Sequence, residues 1–252
     1  MKLLMGNPSP TVESRTSFYY KALRENIKTM VRDGTSIELF WPKKGYSDST
    51  RAWTEAYNSL ESVKGYYEAW KAGYDGIVIA CVLDPGLIQA RSIIDIPVAG
   101  ACESAAQFAS MLGNKYSVIA HDRIVGAAMD DCIKRSGLAE KLASIRYAPL
   151  GFGEAAALYQ DPPKLVRVFR ESAVRVIEED GAEAIIPGCT VLSTMLTSQG
   201  VYEIDGVPLV DPVWAALKMA EVLVDLKKAY GMGVCRSTIY SAAANWEKEI
   251  PI

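Results

Sequence analysis

One histidine, His121, stands among 252 residues, so the chain offers no histidine cluster for a metal ion and at most one serine–histidine relay. His121 follows the apolar stretch Tyr116–Ala120, where a strand-end loop residue is the plain reading. Neither GxxxxGKS/T nor GxGxxG occurs, which removes the usual glycine-loop routes to nucleotide phosphates, and nothing singles out a lysine for pyridoxal phosphate. Excess charge of one sign is missing too. Thirty acidic residues against 27 basic ones give a net charge of -3, with no block of five or six like charges, so neither nucleic acid nor an anionic membrane surface is an expected partner. No run approaches the roughly 18 consecutive apolar residues of a membrane span, and MKLLMG is too short for a signal-peptide core. The five cysteines form an odd set without CxxC spacing. A chain of this length buries roughly three quarters of its unfolded surface and needs no disulfide staples, so a reducing cytoplasm is the expected location.

What is present alternates. Short apolar runs exchange with segments of helical periodicity: LLMG, then a helix over about 13–30; SIELF, then 51–71; GIVIAC, then a short helix after Pro85; IPVAG, then 103–111. YSVIA precedes a helix over 124–134 and SIRYA follows it; a helix over 164–179 leads into AIIPGC, and VPLV into a helix over 214–230. Strand alternating with helix predicts an α/β protein with mainly parallel sheets flanked by helices. The aromatic-rich stretch from Trp53 to Trp70 suits either a core face or an interface in a homo-oligomer.

Two stretches repeat one arrangement. GYDGIVIACVLDPGL (73–87) and GAEAIIPGCTVLSTM (181–195) each have a glycine at the entrance, an apolar strand, a cysteine at its carboxyl end and a loop feeding a helix. Ligands of open α/β sheets bind beyond the carboxyl ends of strands, so Cys81 and Cys189 both stand where chemistry is expected. Cys102 also ends a strand but has no counterpart, Cys132 falls inside a helical pattern, and Cys235 lies in an irregular tail; structural roles suffice for those three. A thiol pair without metal or cofactor suits proton transfer at a carbon acid, one thiolate taking a proton from one face while the other thiol returns one to the opposite face. A redox dithiol is the competing use. Asp84, Asp211 and Glu103 each open a helix, where capping or charge–dipole roles account for them, and Glu103 also has the option of facing the cleft.

Several segments together resemble the aspartate/glutamate racemase superfamily, and within it the hydantoin and allantoin racemase branch, over nearly the whole chain. They are Asn7-Pro8 after the first strand, the ACxxDPGLxxAR pattern from Ala80 to Arg91, PVAGACESA from Pro97 to Ala105, GAEAIIPGC from Gly181 to Cys189, and GVPLVDPVWAALKMAE from Gly206 to Glu221. The resemblance implies two pseudo-symmetric lobes, each a mainly parallel sheet flanked by helices, with the active site in the cleft between them. Residues 1–98 with 211–252 would form lobe one and 99–210 lobe two, the crossing after Val210 following the family. It also implies no cofactor or metal, a small-molecule substrate, and Cys81 and Cys189 as the catalytic acid/base pair.

Asn7, Val82 and Thr190 are the substrate-binding candidates. The chain departs from the branch's NPNT run: Asn7-Pro8-Ser9-Pro10-Thr11 lacks its second asparagine, which leaves the role of Ser9 open. Thr190 follows Cys189 in the manner of amino-acid racemases, whereas Val82 and the DPGL segment match the hydantoin type. A 5-substituted hydantoin or allantoin is the expected substrate. An amino-acid racemase, a cis-trans isomerase or a decarboxylase of the same superfamily, and a non-enzymatic small-ligand binder, are the alternatives.

Overall fold

The computed structural model describes residues 1–10, 13–148 and 161–249; Thr11 lies outside them. Among these residues β1 (Lys2–Gly6), α1 (Glu13–Met30), β2 (Ser36–Phe40), α2 (Ala52–Lys71), β3 (Gly76–Ile79), α3 (Leu87–Ile93) and β4 (Val98–Gly100) come first. The four strands make a parallel sheet in the order β2-β1-β3-β4. Next come α4 (Ala101–Leu112), β5 (Tyr116–Ala120), α5 (Arg123–Arg135), β6 (Leu142–Tyr147), α6 (Pro162–Glu178), β7 (Ala184–Gly188) and α7 (Thr190–Ser198). A second parallel sheet runs β6-β5-β7, and a lone parallel bridge between Ile185 and Leu209 extends it past β7. A short antiparallel pair, β8 (Glu203–Ile204) with β9 (Val207–Pro208), precedes α8 (Pro212–Tyr230) and a terminal turn, α9 (Trp246–Glu249). Each sheet thus places its cysteine-bearing strand beside the first strand of its half.

Burial explains the sequence pattern. Every residue of β3, β5 and β7 is buried, as strands covered by helices on both faces must be, so each reads as one apolar run rather than as alternation. Pro187 is tolerated inside β7 because it shares parity with Ile185, whose carbonyl accepts from Val210. By Pro187 the chain on that side has already left the sheet for Asp211, so the missing N–H has no partner to disappoint. The VPLV run expected as one strand is divided: two residues pair with β8, and Leu209 sits against β7.

The helices after the fourth strand positions exchange partners. α4 packs on β7 and α5, while α8 packs on β3 and β4, and the two helices pack on each other. Phe108 and Trp214 meet across that contact with ring centroids 5.2 Å apart. The chain therefore ties the two sheets together twice, behind the two strand ends that carry Cys81 and Cys189.

Candidate active site

Cys81 follows β3 by one residue, Ala80, and Cys189 follows β7 directly. The Thr190 hydroxyl donates to the Ala80 carbonyl at 3.3 Å, so the neighbour of one cysteine is hydrogen-bonded to the neighbour of the other. Residues 110 positions apart in sequence thus join the two loops in a buried contact. The charge of Cys189 also acts on the Cys81 thiol.

The two thiols sit in different settings. Cys189 is the N-cap residue of α7, with extended backbone (φ -164°, ψ 131°), so the positive end of a nine-residue helix lies beside its sulfur. Cys81 sits in a tight turn in which the Asp84 N–H donates to the Cys81 carbonyl at 3.0 Å. Burial pushes the Cys81 thiol well up; the Leu83 N–H opposes this, while Asp84, Cys189 and Cys132 add to it. At neutral pH Cys81 is a thiol.

That turn is held from behind. Asp84, at φ 47°, accepts from the N–H groups of Cys102 at 2.9 Å and Glu103 at 2.8 Å. Its sequence position before Pro85 suggested a cap for the helix that follows, but it caps α4 instead; α3 has Gly86 at its N-cap and no side-chain cap. The approach requires Gly100, where a Cβ would fall 2.5 Å from the Asp84 carboxyl carbon. Burial pushes the Asp84 carboxyl up to about 7, against the pull of those two N–H bonds. Asp211 does cap its own helix, accepting from Val213 and Trp214. It also accepts from Ser193 at 3.0 Å and Thr197 at 2.7 Å, which locks α7 to the start of α8. Glu103 turns to Arg91, which holds it with bonds of 2.5 and 3.1 Å, so its carboxylate is engaged in an ion pair.

The other candidates fall as follows. Asn7 is buried at the carboxyl end of β1, its N–H on the Phe40 carbonyl, and its side-chain Nδ2 meets no acceptor among the described residues. An amide donor buried without a protein partner is what a ligand carbonyl would satisfy. Val82 is buried with Cys102, Ala105, Val118 and Ile186 in the core beneath the second sheet, so its isopropyl group serves packing. Ser9 is half-buried in the loop after β1.

Sequence reasoning missed two neighbours and read a third only as a strand-end residue. Tyr66 from α2 lies over the end of β1, where a Cβ on Gly6 would fall 2.3 Å from its ring, and it lies within the influence of Cys81. Tyr19 from α1 faces Thr190 and Cys189, and burial pushes both phenols far up, so both stay protonated. His121 is the third. It follows β5 as Asn7 follows β1, and its ring reaches the Gly188 carbonyl, one residue from Cys189; burial holds the imidazole below its usual range and so neutral at pH 7. The signal for it was the pseudo-symmetry itself: the residue after the first strand of each half lies beside the cysteine strand. The five cysteines are free, and no group of three or more His, Cys, Asp or Glu among the described residues is arranged to hold a metal ion.

Residues 12–220 match the model of the family described as Asp/Glu/Hydantoin racemase. The chain belongs to this family. A hydantoin racemase of Pseudomonas sp. (strain NS671) is 32% identical over 229 residues, which cover 90% of this chain and 88% of that one. Among solved structures, an allantoin racemase from Pseudomonas fluorescens has a TM-score of 0.81 at 26% identity, covering 97% of both chains. An allantoin racemase from Klebsiella pneumoniae has a TM-score of 0.80 at 25% identity, covering 97% of this chain and 94% of that one. The protein is thus a racemase with the two-lobed α/β fold of the Asp/Glu racemases, its sheets parallel and flanked by helices. No helix among the described residues is long and apolar enough to cross a membrane.

Proposed function

We propose that this racemase acts on a neutral cyclic ureide, a 5-substituted hydantoin or allantoin, by proton transfer between Cys81 and Cys189. The observation that carries the reading is the Thr190–Ala80 bond, which joins the two cysteine loops at one place. In the resting enzyme Cys81 is the acid, kept as a thiol by burial, and Cys189 at the α7 N-terminus is the base. The Cys189 thiolate takes the proton alpha to the ring carbonyl from one face. The enolate oxygen that forms is held by backbone N–H groups of the two loops, Val82 contributing through its backbone, and by the Asn7 amide. Cys81 then delivers its proton to the opposite face, inverting the centre, and the thiols have exchanged protonation states.

Charge supports a neutral substrate. Among the described residues the groups whose charge acts on Cys81 are Asp84, Cys189 and Cys132, none of them cationic. A carboxylate would find no cation among them to offset the cost of leaving water. The Thr190 hydroxyl, which by sequence resembled an amino-acid signature, spends its proton on the Ala80 carbonyl. That weakens the amino-acid alternative.

The test is circular dichroism of single enantiomers of 5-substituted hydantoins, allantoin, aspartate and glutamate, without added metal or pyridoxal phosphate. Loss of optical activity is expected for a ureide and not for the amino acids. Cys81→Ala and Cys189→Ala should each lower the rate by at least about 100-fold, the usual worth of a positioned acid or base. Racemisation of free amino acids alone, or full activity in either variant, overturns the reading.

A further inference from the structure

Directly behind the Cys81 turn stand two thiols that proton transfer does not use. Cys102 lies in the first turn of α4 and is fully buried; Cys132 lies on α5, which packs on α4, and is 6% exposed. They share one buried cluster, and each side chain acts on the other's thiol. Cys132 also donates to the Leu83 carbonyl at 3.2 Å, and the exposed Arg135 places Nη2 3.1 Å from the Cys132 sulfur. Leu83 in turn directs its N–H at Cys81. A continuous path thus runs from Arg135 at the surface through Cys132 and Leu83 to the Cys81 sulfur. The backbone N–H of Cys102 is one of the two that hold Asp84.

We propose that Cys102 and Cys132 are a redox modification site, joined as a disulfide by a hydroperoxide, and that this bond releases the Cys81 turn. Cys132 is the attacking thiol, because Arg135 places a guanidinium N–H donor 3.1 Å from its sulfur and so favours its thiolate against the cost of burial. Its sulfur attacks the peroxide: an S–O bond forms, the O–O bond breaks, and water leaves once the departing oxygen takes up a proton. The Cys102 sulfur then attacks the sulfenic acid, losing its proton; the S–S bond forms, the S–O bond breaks and a second water leaves. Two thiols are oxidised and one hydrogen peroxide is reduced to two waters. The disulfide has no S–H, so the Leu83 carbonyl loses its donor, and the pull of α5 on Cys102 strains the Asp84 contact. The effect on activity rests on Cys81 acting as proposed above; the disulfide itself does not.

The experiment exposes the intact enzyme to graded hydrogen peroxide with substrate present to shield the cleft, then alkylates free thiols after denaturation and maps peptides by mass spectrometry. A Cys102–Cys132 cross-link should appear, rising in parallel with a loss of racemisation of at least about tenfold, and dithiothreitol should reverse both. In Cys102→Ser the cross-link should vanish, and dimedone should label Cys132 as its sulfenic acid. Both thiols still alkylated at peroxide levels that inactivate the enzyme would overturn the site. A cross-link with unchanged racemisation would overturn the release of the turn. Should the chain racemise no ureide at all, the mapped peptides still decide whether the pair forms, so the two readings fail separately.

Discussion

Asp84 is a carboxylate held between opposing demands: burial favours its neutral form, and the two N–H groups of α4 favour its charge. Burial wins, raising the carboxyl from its ordinary 3.8 to about 7 in the folded protein. Because the folded state binds this proton more tightly than the unfolded chain, Asp84's share of stability is fully present below the unfolded value. It is lost as pH rises through the folded one. Chemical denaturation of the wild type should therefore show a stabilising contribution that declines between about pH 4 and 7, by up to about 1.4 kcal/mol per pH unit. Asp84→Asn should flatten that slope while loosening the Cys81 turn. An unchanged slope in the variant would show that another group titrates in this window.

Among the elements, the register of β5 against β7 decides where Cys189 stands. Ala120 faces Gly188, and a Cβ on Gly188 would fall 2.8 Å from the Ala120 Cα and 3.0 Å from the Ile119 carbonyl oxygen. Both are backbone atoms and cannot swing aside. Gly188→Ala should cost about 1–3 kcal/mol in urea denaturation, as overpacking does. It should also lower kcat, because Cys189 is the next residue. Ile185→Val in the same strand should cost about 0.5–1.5 kcal/mol and leave kcat near wild type. Equal effects of the two on kcat would separate the strand's position from the chemistry.

At the scale of the whole molecule, the exchange of α4 and α8 between the sheets fixes the two strand ends relative to each other, and in the proposed mechanism each thiol approaches the substrate from its own side. In deuterated water, Cys81→Ser and Cys189→Ser should each still exchange the alpha proton of the one enantiomer that faces the remaining thiol, with opposite preferences. The same preference in both, measured by proton NMR on separate enantiomers, would contradict the two-face arrangement.

The strand–helix order was legible because buried parallel strands are written as unbroken apolar runs and the helices as 3.6-residue periods; GIVIAC and AIIPGC carry both the strand and its terminal cysteine. That Cys81 and Cys189 stand at the ends of like strands was legible for the same reason, since two halves built alike put like residues at like strand ends; the Thr190–Ala80 contact that joins their loops was not. Contacts between halves have no such periodicity. Nothing local in DPGL says that Asp84 reaches the start of α4 rather than α3, and nothing in YSVIAH says that His121 lies beside Gly188. The VPLV run is apolar throughout, yet its division between β8 and β7 depends on where the chain turns back. Cys102 and Cys132, unremarkable in sequence, become a pair behind Cys81 only because α4 crosses to pack on β7 and α5. Sequence fixes which residues are buried and in what local form, through the fit of side chain to solvent and backbone; which buried groups meet is decided by packing between distant segments, where hydrogen-bond satisfaction and close contact act over three dimensions.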